Sequence, residues 1–297
     1  MKKTDLNCPV CEKFTGNKVI YQDTLENEIP EIGYDYLNKN FDKTYQYLQC
    51  KDCEHVYASP IFLGIEGSYQ ETEDPIYLRN SSYRKKAYEI ICKMIKKKFP
   101  NKEKLLDFGC ATGDFLEVAK NHFPSSEGVE ISKFYYDIAS KKGLNVHLGS
   151  TEVLKLQKKK YDIVTLWGVI EHLQNPAKII REIREIISEG GVLILWTGDY
   201  NSIYSKILKK NWWYVIGQHI QLFSHESLVK LFSKNGYLHL EKKYYPYVFS
   251  NRYIDFHLRR YSIYKYFFRI FILPLLVIKF HFTLRLSSEL LLIFKKK

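Results

Sequence analysis

The sequence LLDFGCATGDF, residues 105–115, decides the fold. It is an apolar run that ends on an acid, Asp107, and then breaks into small residues with two glycines, Gly109 and Gly113. A strand, a tight loop and a helix in this order place backbone N–H groups and a helix N-terminus at the carboxyl edge of a sheet, where ligands bind in α/β folds. The stretch therefore predicts a ligand-binding loop.

The residues of this loop narrow the choice of ligand. A dinucleotide fingerprint needs the glycine spacing G-x-G-x-x-G, whereas this loop has only two glycines, four residues apart. A P-loop needs Gly-Lys followed by Ser or Thr, which the loop lacks. An acid two residues before the first glycine would repel a phosphate, so the loop favours a positively charged ligand.

The segments around the loop alternate between strand and helix patterns. Strands that alternate with helices of roughly 10–15 residues indicate a mostly parallel sheet covered on both faces. The fold class predicted is therefore α/β, doubly wound. The predicted strands are 104–108, 126–132, 144–149, 161–167, 190–198 and 237–245, and the predicted helices are 81–99, 114–122, 134–142, 176–188 and 224–235.

These motifs resemble the class I S-adenosylmethionine-dependent methyltransferases. The first motif of that family is acid-x-Gly-x-Gly-x-Gly, matched from Asp107 to Gly113 with Ala111 in place of the middle glycine. The segments EGVEIS (127–132), YDIVTLWGVIEHLQNP (161–176) and EGGVLILWT (189–197) resemble the family's second, fourth and fifth strands in the right order. The resemblance covers roughly residues 80–245.

The resemblance implies a Rossmann-like methyltransferase sheet that binds S-adenosylmethionine. It implies that Asp107 helps to orient the ammonium group of the cofactor and that Glu130 accepts hydrogen bonds from the ribose hydroxyls. Residues 167–172 would face cofactor and substrate. The implied cofactor-binding residues are Asp107, Gly109, Cys110, Gly113, Glu130, Ile131 and Trp167.

Four of the six cysteines form two C-x2-C pairs near the N-terminus. The start of the chain has no apolar run of signal-peptide length, which predicts a cytoplasmic protein, where disulfides are rare. Two such pairs then supply four thiolates for a tetrahedral metal ion, and they resemble a zinc ribbon. The expected ligands of a structural Zn²⁺ are Cys8, Cys11, Cys50 and Cys53.

Four regions follow from these patterns. They are a zinc-ribbon-like module at 1–62, a linker at 63–80, the cofactor-binding core at 81–250 and an apolar helical segment with an edge strand at 251–297. The stretch 264–280 is apolar but carries three basic residues and a proline, which argues against a transmembrane helix. It predicts either a helix packed on the core or a peripheral membrane contact through 261–285.

Methyl transfer from a sulfonium mainly requires that the nucleophile be held in line with the methyl group. A general base is needed only when the acceptor must lose a proton. His172 and His219 are the candidates because histidine titrates near neutral pH and both lie in segments expected to border the pocket. Each of them also fits a structural histidine.

Three functions remain open at this level. The ribbon, the core and residues 211–237 resemble a bacterial group that includes sugar methyltransferases and enzymes of surface-polysaccharide or secondary metabolism, which implies a small-molecule acceptor. The net charge of +12 leaves an RNA methyltransferase with a zinc module as an alternative. The third is a non-catalytic zinc-ribbon adaptor with a degenerate fold, which the intact Asp107, Gly109, Gly113 and Glu130 disfavour.

Overall fold

A computed structural model describes residues 3–13, 17–26, 28–30, 43–62, 64, 77–78, 80–156, 158–251, 255 and 281–297. Most of the predicted linker and the apolar stretch 264–280 lie outside these ranges. The helix and the membrane contact predicted there therefore stay predictions. Among the described helices, none has both the length and the apolar character needed to cross a bilayer.

The N-terminal region folds into short strands. β1 pairs with β5, and β2, β3 and β4 form an antiparallel sheet in that order. The tight turns 8–11 and 50–53 carry the four cysteines. The five strands are β1 (Lys3–Thr4), β2 (Lys18–Tyr21), β3 (Tyr47–Gln49), β4 (Val56–Ala58) and β5 (Ile61–Phe62).

The central sheet has seven strands in the described part of the chain, in the order β12-β13-β10-β9-β6-β7-β8. Five neighbouring strands, from β10 to β8, run parallel, and β13 and β12 extend the sheet antiparallel. The strands are β6 (Lys104–Phe108), β7 (Ser125–Glu130), β8 (Val146–Leu148), β9 (Tyr161–Trp167), β10 (Ile187–Gly198), β12 (Tyr237–Ser250) and β13 (His281–Lys296).

The central strands are buried on both faces, as a doubly wound sheet requires. Successive residues of one strand belong to different clusters: Leu105 packs on one face and Leu106 on the other. This alternation follows from the two-residue period of a strand. The helices are α1 (Ser81–Lys98), α2 (Asp114–Ala119), α3 (Lys133–Lys141), α4 (Thr151–Leu156), α5 (Pro176–Ile186), α6 (Ile203–Leu208) and α7 (His225–Lys234).

The helices cover the two faces in pairs. Ile91 of α1 and Leu116 of α2 pack on the face of Leu105. Ile183 of α5 and Leu231 of α7 pack on the face of Leu106. The predicted α/β, doubly wound, mostly parallel fold is confirmed, and each strand and helix predicted between residues 81 and 245 is present with its ends shifted by a few residues.

The prediction of an edge strand at 289–294 is wrong in its position. The strand exists as β13, but it lies between β10 and β12 and pairs with both. Residues 290–294 are all buried, on both faces of the sheet. A strand buried on both faces reads as a continuous apolar run, and that run belongs inside a sheet.

The cysteine-bearing region and the core share one sheet. A two-residue strand of the core, β11 (Gln221–Leu222), pairs antiparallel with β4. The His55 ring and the Gln221 side chain are hydrogen-bonded at 2.9 Å beside this pairing. The boundaries of the four regions predicted from the sequence stay predictions. The pairing of β11 with β4 holds the N-terminal sheet against residues 212–222.

Candidate active site

The glycine loop after β6 is held against the end of β7. The backbone N–H groups of Gly109 and Cys110 donate to the Val129 carbonyl at 2.9 and 3.1 Å. Gly109, Ala111 and Gly113 all have positive φ, at 73°, 46° and 75°. The loop therefore turns sharply enough to leave a concave edge at the start of α2.

Glu130 ends β7 and reaches into this edge. Its Oε2 accepts from the Ala111 N–H at 2.7 Å and its Oε1 accepts from the Ser132 N–H at 2.8 Å. Burial raises the pKa of Glu130, and the hydrogen bonds from Ser132, Ala111 and Ile131 oppose that rise. A carboxylate has about four lone-pair sites, so Glu130 can still accept from a diol.

Asp107 and Cys110 lie deeper than the sequence suggests. The Asp107 carboxyl group is buried and accepts from the Thr165 hydroxyl at 2.7 Å. Burial raises its pKa to about 8. A Cβ on Gly128 would lie 2.6 Å from the Cys110 Sγ, so this thiol packs against β7.

Features of the glycine loop itself fit S-adenosylmethionine, the sulfonium cofactor. The buried Thr112 hydroxyl has no hydrogen-bond partner, and it lies in the loop that precedes α2. The loop and Glu130 together offer N–H groups, a hydroxyl and a carboxylate. S-adenosylmethionine would supply an activated methyl group there. The roles of Asp107, Gly109, Cys110, Gly113, Glu130, Ile131 and Trp167 in holding it stay predictions.

A second cavity opens at the same edge, beyond β9. We call it the aromatic pocket. Trp167, at the end of β9, contacts Phe115 of α2 with ring centroids 5.0 Å apart, which places this cavity beside the cofactor loop. The lining residues are Tyr77, Asn80, Tyr83, Arg84, Ala87, Tyr88, Trp167, Gly168, Glu171, His172, Trp196, Trp213, Tyr214, Ile216, His219, Tyr245, Tyr247, Val248 and Phe249.

The two predicted histidines meet in this pocket, with ring centroids 4.7 Å apart. The His172 Nδ1 donates to the Gln218 carbonyl at 3.0 Å, and the His219 Nδ1 donates to the Tyr214 carbonyl at 2.9 Å. Burial lowers the pKa of His172 to about 4 and lowers that of His219 well below its usual value. Both rings are therefore neutral at physiological pH.

Glu171 is a pocket residue within the segment 167–172, which the resemblance to the methyltransferases implied would face cofactor and substrate. Its side chain is 2% exposed, and its Oε2 has no hydrogen-bond partner. Burial raises the pKa of Glu171 to about 8, and a hydrogen bond with Thr197 opposes that rise. The buried position follows from the 3₁₀ turn Ile170–His172, which turns this residue inward.

Glu289 is a buried acid that the sequence patterns did not indicate as a site residue. It is fully buried on β13 and accepts from Trp196 Nε1, Trp213 Nε1 and the Tyr214 hydroxyl at 3.0, 2.9 and 3.0 Å. Three side chains that line the aromatic pocket therefore donate hydrogen bonds to one carboxylate. An acid that starts a wholly apolar run, as in ELLLIF, was the signal that could have found it.

The four predicted metal ligands come together. The Sγ atoms of Cys8 and Cys53 lie 3.4 Å apart, as do those of Cys11 and Cys50, and all four lie within 4.8 Å of one another. Tetrahedral Zn²⁺ with Zn–S bonds of about 2.3 Å places its sulfurs about 3.8 Å apart. The cluster therefore fits a zinc ion by number, chemistry and spacing of its donors.

Comparison with known proteins agrees with this geometry. A family model described as methyltransferase domain matches residues 81–241, which is more than half of the chain. The chain belongs to this family. Residues 81–241 form an S-adenosylmethionine-dependent methyltransferase domain, and the sequence prediction of that activity and cofactor is confirmed for this domain.

Individual relatives are distant. An uncharacterized protein of Methanocaldococcus jannaschii is 29% identical over 105 residues, which are 35% of this chain and 49% of that protein, so the match spans about half of that relative's length. A methyltransferase structure from Archaeoglobus fulgidus is 20% identical and covers 75% of this chain and 100% of its own, with a TM-score of 0.50. The plantazolicin methyltransferase BpumL with SAH is 14% identical and covers 78% and 89%, also at 0.50. These likenesses show the fold.

Proposed function

We propose that this methyltransferase acts on a small molecule, a sugar or a precursor of a surface polysaccharide or secondary metabolite. The aromatic pocket carries this proposal because its walls are side chains fixed from several elements, beside the cofactor loop. Small-molecule sites are concave, mostly apolar and supplied with few polar groups. Aromatic faces also pack well on the C–H faces of sugars.

Two sets of residues contribute to methyl transfer: one set binds the methyl donor and the other binds the acceptor. Glu130 and the glycine loop hold the nucleoside and methionine ends of the donor. S-adenosylmethionine supplies a methyl group on a cationic sulfur, and the aromatic pocket holds the acceptor in line with it. Trp167 and Glu171 are both buried, and Trp167 lies against Phe115 of α2, between the aromatic pocket and the cofactor loop. His172 and His219 stay the candidates for a group that orients the acceptor or takes its proton.

Transfer of labelled methyl groups tests the acceptor class. The protein is incubated with [methyl-¹⁴C]S-adenosylmethionine and, separately, with hexoses, amino sugars, nucleotide-activated sugars and total RNA. We expect label in a sugar fraction and none in RNA. Label in RNA alone would replace the proposal with the RNA alternative.

A pocket variant separates the acceptor site from the cofactor site. Trp213→Ala removes one wall of the aromatic pocket and should abolish labelling of the sugar while SAH still binds. Lys206→Ala, on exposed α6, is the matched control and should retain both. Retained sugar labelling in Trp213→Ala would place the acceptor elsewhere.

We further propose that Cys8, Cys11, Cys50 and Cys53 hold a structural zinc ion. The spacing of their Sγ atoms supports this, together with the burial of three of the four cysteines. Elemental analysis of the purified protein should find about one zinc per chain. A Cys50→Ser variant should lose it, whereas Cys92→Ser, which changes a cysteine of α1, should keep it. Zinc-free wild-type protein would contradict the proposal.

A further inference from the structure

The lining of the aromatic pocket is rich in Trp and Tyr rings that pack on one another. Tyr245 and Tyr247 pack on Trp196 with ring centroids 4.6 and 5.6 Å away. Tyr88 packs on Trp167 at 5.8 Å. Faces of Trp and Tyr attract cations through the negative potential above their rings, and the attraction grows when water is excluded.

The basic side chain that lines this pocket, Arg84, is held in an ion pair. Arg84 makes an ion pair with Asp114 at 2.6 Å, and its guanidinium lies 3.7 Å from the centroid of the Tyr77 ring. Lys142 adds a second cation to the same Asp114 at 3.2 Å, outside the pocket. A cationic ligand therefore meets a guanidinium whose charge is compensated by a buried carboxylate.

A cation bound beside the Glu171 carboxyl group would favour its charged form, because an opposite charge within about 4–6 Å lowers the pKa of a carboxyl group. The Glu171 carboxyl group is 2% exposed, and its Oε2 has no partner. Its Oε1 would lie 3.7 Å from a Cβ on Gly168, and the Trp196 ring would lie 3.1 Å from the same atom. The carboxyl group and the indole therefore flank the backbone of Gly168 at the carboxyl end of β9. A buried carboxyl oxygen without a partner is costly, so its place beside a cavity points to a ligand that satisfies it.

The histidines do not supply a strong base. Each Nδ1 donates to a backbone carbonyl, and burial keeps both rings neutral by lowering their pKa values. An unactivated alcohol needs such a base to lose its proton during methyl transfer. An amine needs only to shed the proton of its ammonium form, because its nitrogen then has a free lone pair.

We propose that the acceptor of this enzyme is an amine and that Glu171 receives its proton. This inference rests on the proposed small-molecule function and specifies the reacting group. With the cationic acceptor bound, Glu171 is ionised, and the ammonium group gives one proton to this carboxylate and becomes a neutral amine. The nitrogen lone pair forms the bond to the methyl carbon while the carbon–sulfur bond breaks, and its electron pair stays on sulfur. The products are a methylated ammonium ion, SAH and one proton, which Glu171 passes to water.

The groups that line the pocket can stabilise the positive charge that moves during this step. One positive charge leaves the sulfur and appears on the nitrogen. The faces of Trp167 and Trp196 and the Glu171 carboxylate stabilise that charge before and after transfer. Glu171 touches the reacting group and is in this sense a catalytic residue.

Two probes of equal shape test the charge preference without any variant. Calorimetry compares (3-hydroxyphenyl)trimethylammonium with its neutral isostere 3-tert-butylphenol on wild-type protein saturated with SAH, which carries no sulfonium charge. We expect the cation to bind about ten-fold tighter, as a desolvated aromatic site predicts. Equal affinities, or tighter binding of the phenol, would overturn the inference.

A variant then assigns the preference to one side chain. Glu171→Gln keeps the shape of the side chain and should weaken the cationic probe about ten-fold while leaving the neutral probe unchanged. Glu185→Gln, at an exposed position of α5, is the control and should change neither. An equal loss for both probes would mean that Glu171 only shapes the pocket and would overturn its proposed role.

Turnover separates this inference from the function on which it rests. Glucosamine and glucose serve as matched acceptors in the labelling assay. Label on glucosamine alone supports the amine, whereas label on glucose alone overturns the amine and leaves the small-molecule function intact. If neither sugar is labelled and RNA is, the proposed function fails, and the binding ratio of the two probes still decides whether the pocket prefers cations.

Discussion

At the scale of single residues, the cofactor loop depends on backbone that only glycine adopts easily. Gly113 has φ of 75°, and a Cβ there would lie 2.3 Å from Leu144 Cδ1 and 3.3 Å from Ala139 Cβ. Gly143 has almost the same backbone conformation, with φ of 71°, but a Cβ there would have nothing within 4 Å. An alanine at Gly143 therefore meets only the backbone strain, whereas an alanine at Gly113 meets both the strain and the steric clash. The two glycines therefore form a matched pair.

We expect Gly113→Ala to destabilise the protein more than Gly143→Ala. The left-handed backbone costs an alanine about 1–2 kcal/mol at either position. Crowding against Leu144 adds about 1–3 kcal/mol at Gly113 alone. Urea unfolding of both variants measures the difference. Equal losses of free energy of unfolding would show that the loop relaxes around the added methyl group.

The protonation of Glu171 also affects how the free energy of unfolding depends on pH. Burial raises its pKa from 4.5 to about 8, so the folded state keeps a proton that the unfolded state has released. Because the folded state binds more protons, stability falls as pH rises between about 4.5 and 8, by up to about 1.4 kcal/mol per pH unit for this group.

The variant Glu171→Gln should remove that slope. We expect its free energy of unfolding, compared with wild type, to improve steadily from pH 5.5 to 7.5, since Asp107 and Glu289 titrate in both proteins and cancel. Urea titrations at three pH values measure this difference. Parallel curves for the two proteins would show that Glu171 titrates alike in the folded and unfolded chain.

At the scale of elements, the N-terminal sheet holds one wall of the pocket. The Tyr47 hydroxyl on β3 lies 3.0 Å from the Ile216 carbonyl and 2.6 Å from the His219 carbonyl. The segment that it holds carries Trp213 and His219 of the aromatic pocket. The zinc-ribbon-like module therefore helps to position residues that line the aromatic pocket.

We expect Tyr47→Phe to destabilise the protein while SAH binding is unchanged. Loss of a buried donor leaves carbonyl groups unsatisfied, which costs about 1–3 kcal/mol. Urea unfolding and calorimetry with SAH are the two measurements, and Tyr244→Phe on β12, a partly exposed tyrosine, is the control. A matching loss of SAH affinity would show that this sheet supports the cofactor site instead.

The sequence predicts those structural elements whose residue pattern lies within one short segment of the chain. The β6 strand and the Cys8–Cys11 turn follow from periodicity and spacing, and both are found where they were predicted. The apolar run of β13 indicated an interior strand, but its neighbours β10 and β12 were not readable, because pairing between distant segments leaves no local mark. The same holds for Glu289, whose partners Trp196 and Trp213 lie 93 and 76 residues away along the chain.

At the scale of the whole molecule, the pairing of β11 with β4 adds a strand from the core region to the N-terminal sheet. Trp212 is fully buried in a cluster with Tyr45 and Val56, so residues of both regions share one core. We therefore expect the module and the core to unfold together. Removal of the proposed zinc ion should accordingly lower the stability of the whole chain.

Chelation measures this coupling. We expect 1,10-phenanthroline to lower the melting temperature in a single transition reported by both near- and far-UV circular dichroism, and added Zn²⁺ to restore it. Its isomer 1,7-phenanthroline, which does not chelate, is the control. Two separate transitions, with the core melting at its original temperature, would show that the regions fold independently.

The most direct test of the assigned cofactor site is calorimetry with SAH on wild type, Glu130→Gln and Glu127→Gln. Glu127 lies on the same strand, but its carboxylate pairs with His147 and Lys159. We expect one SAH per chain on wild type and Glu127→Gln, and binding at least about ten-fold weaker on Glu130→Gln, because charged hydrogen bonds to the ribose contribute about 1.5–3 kcal/mol. No binding to wild type, or equal affinity for all three proteins, would contradict the assignment.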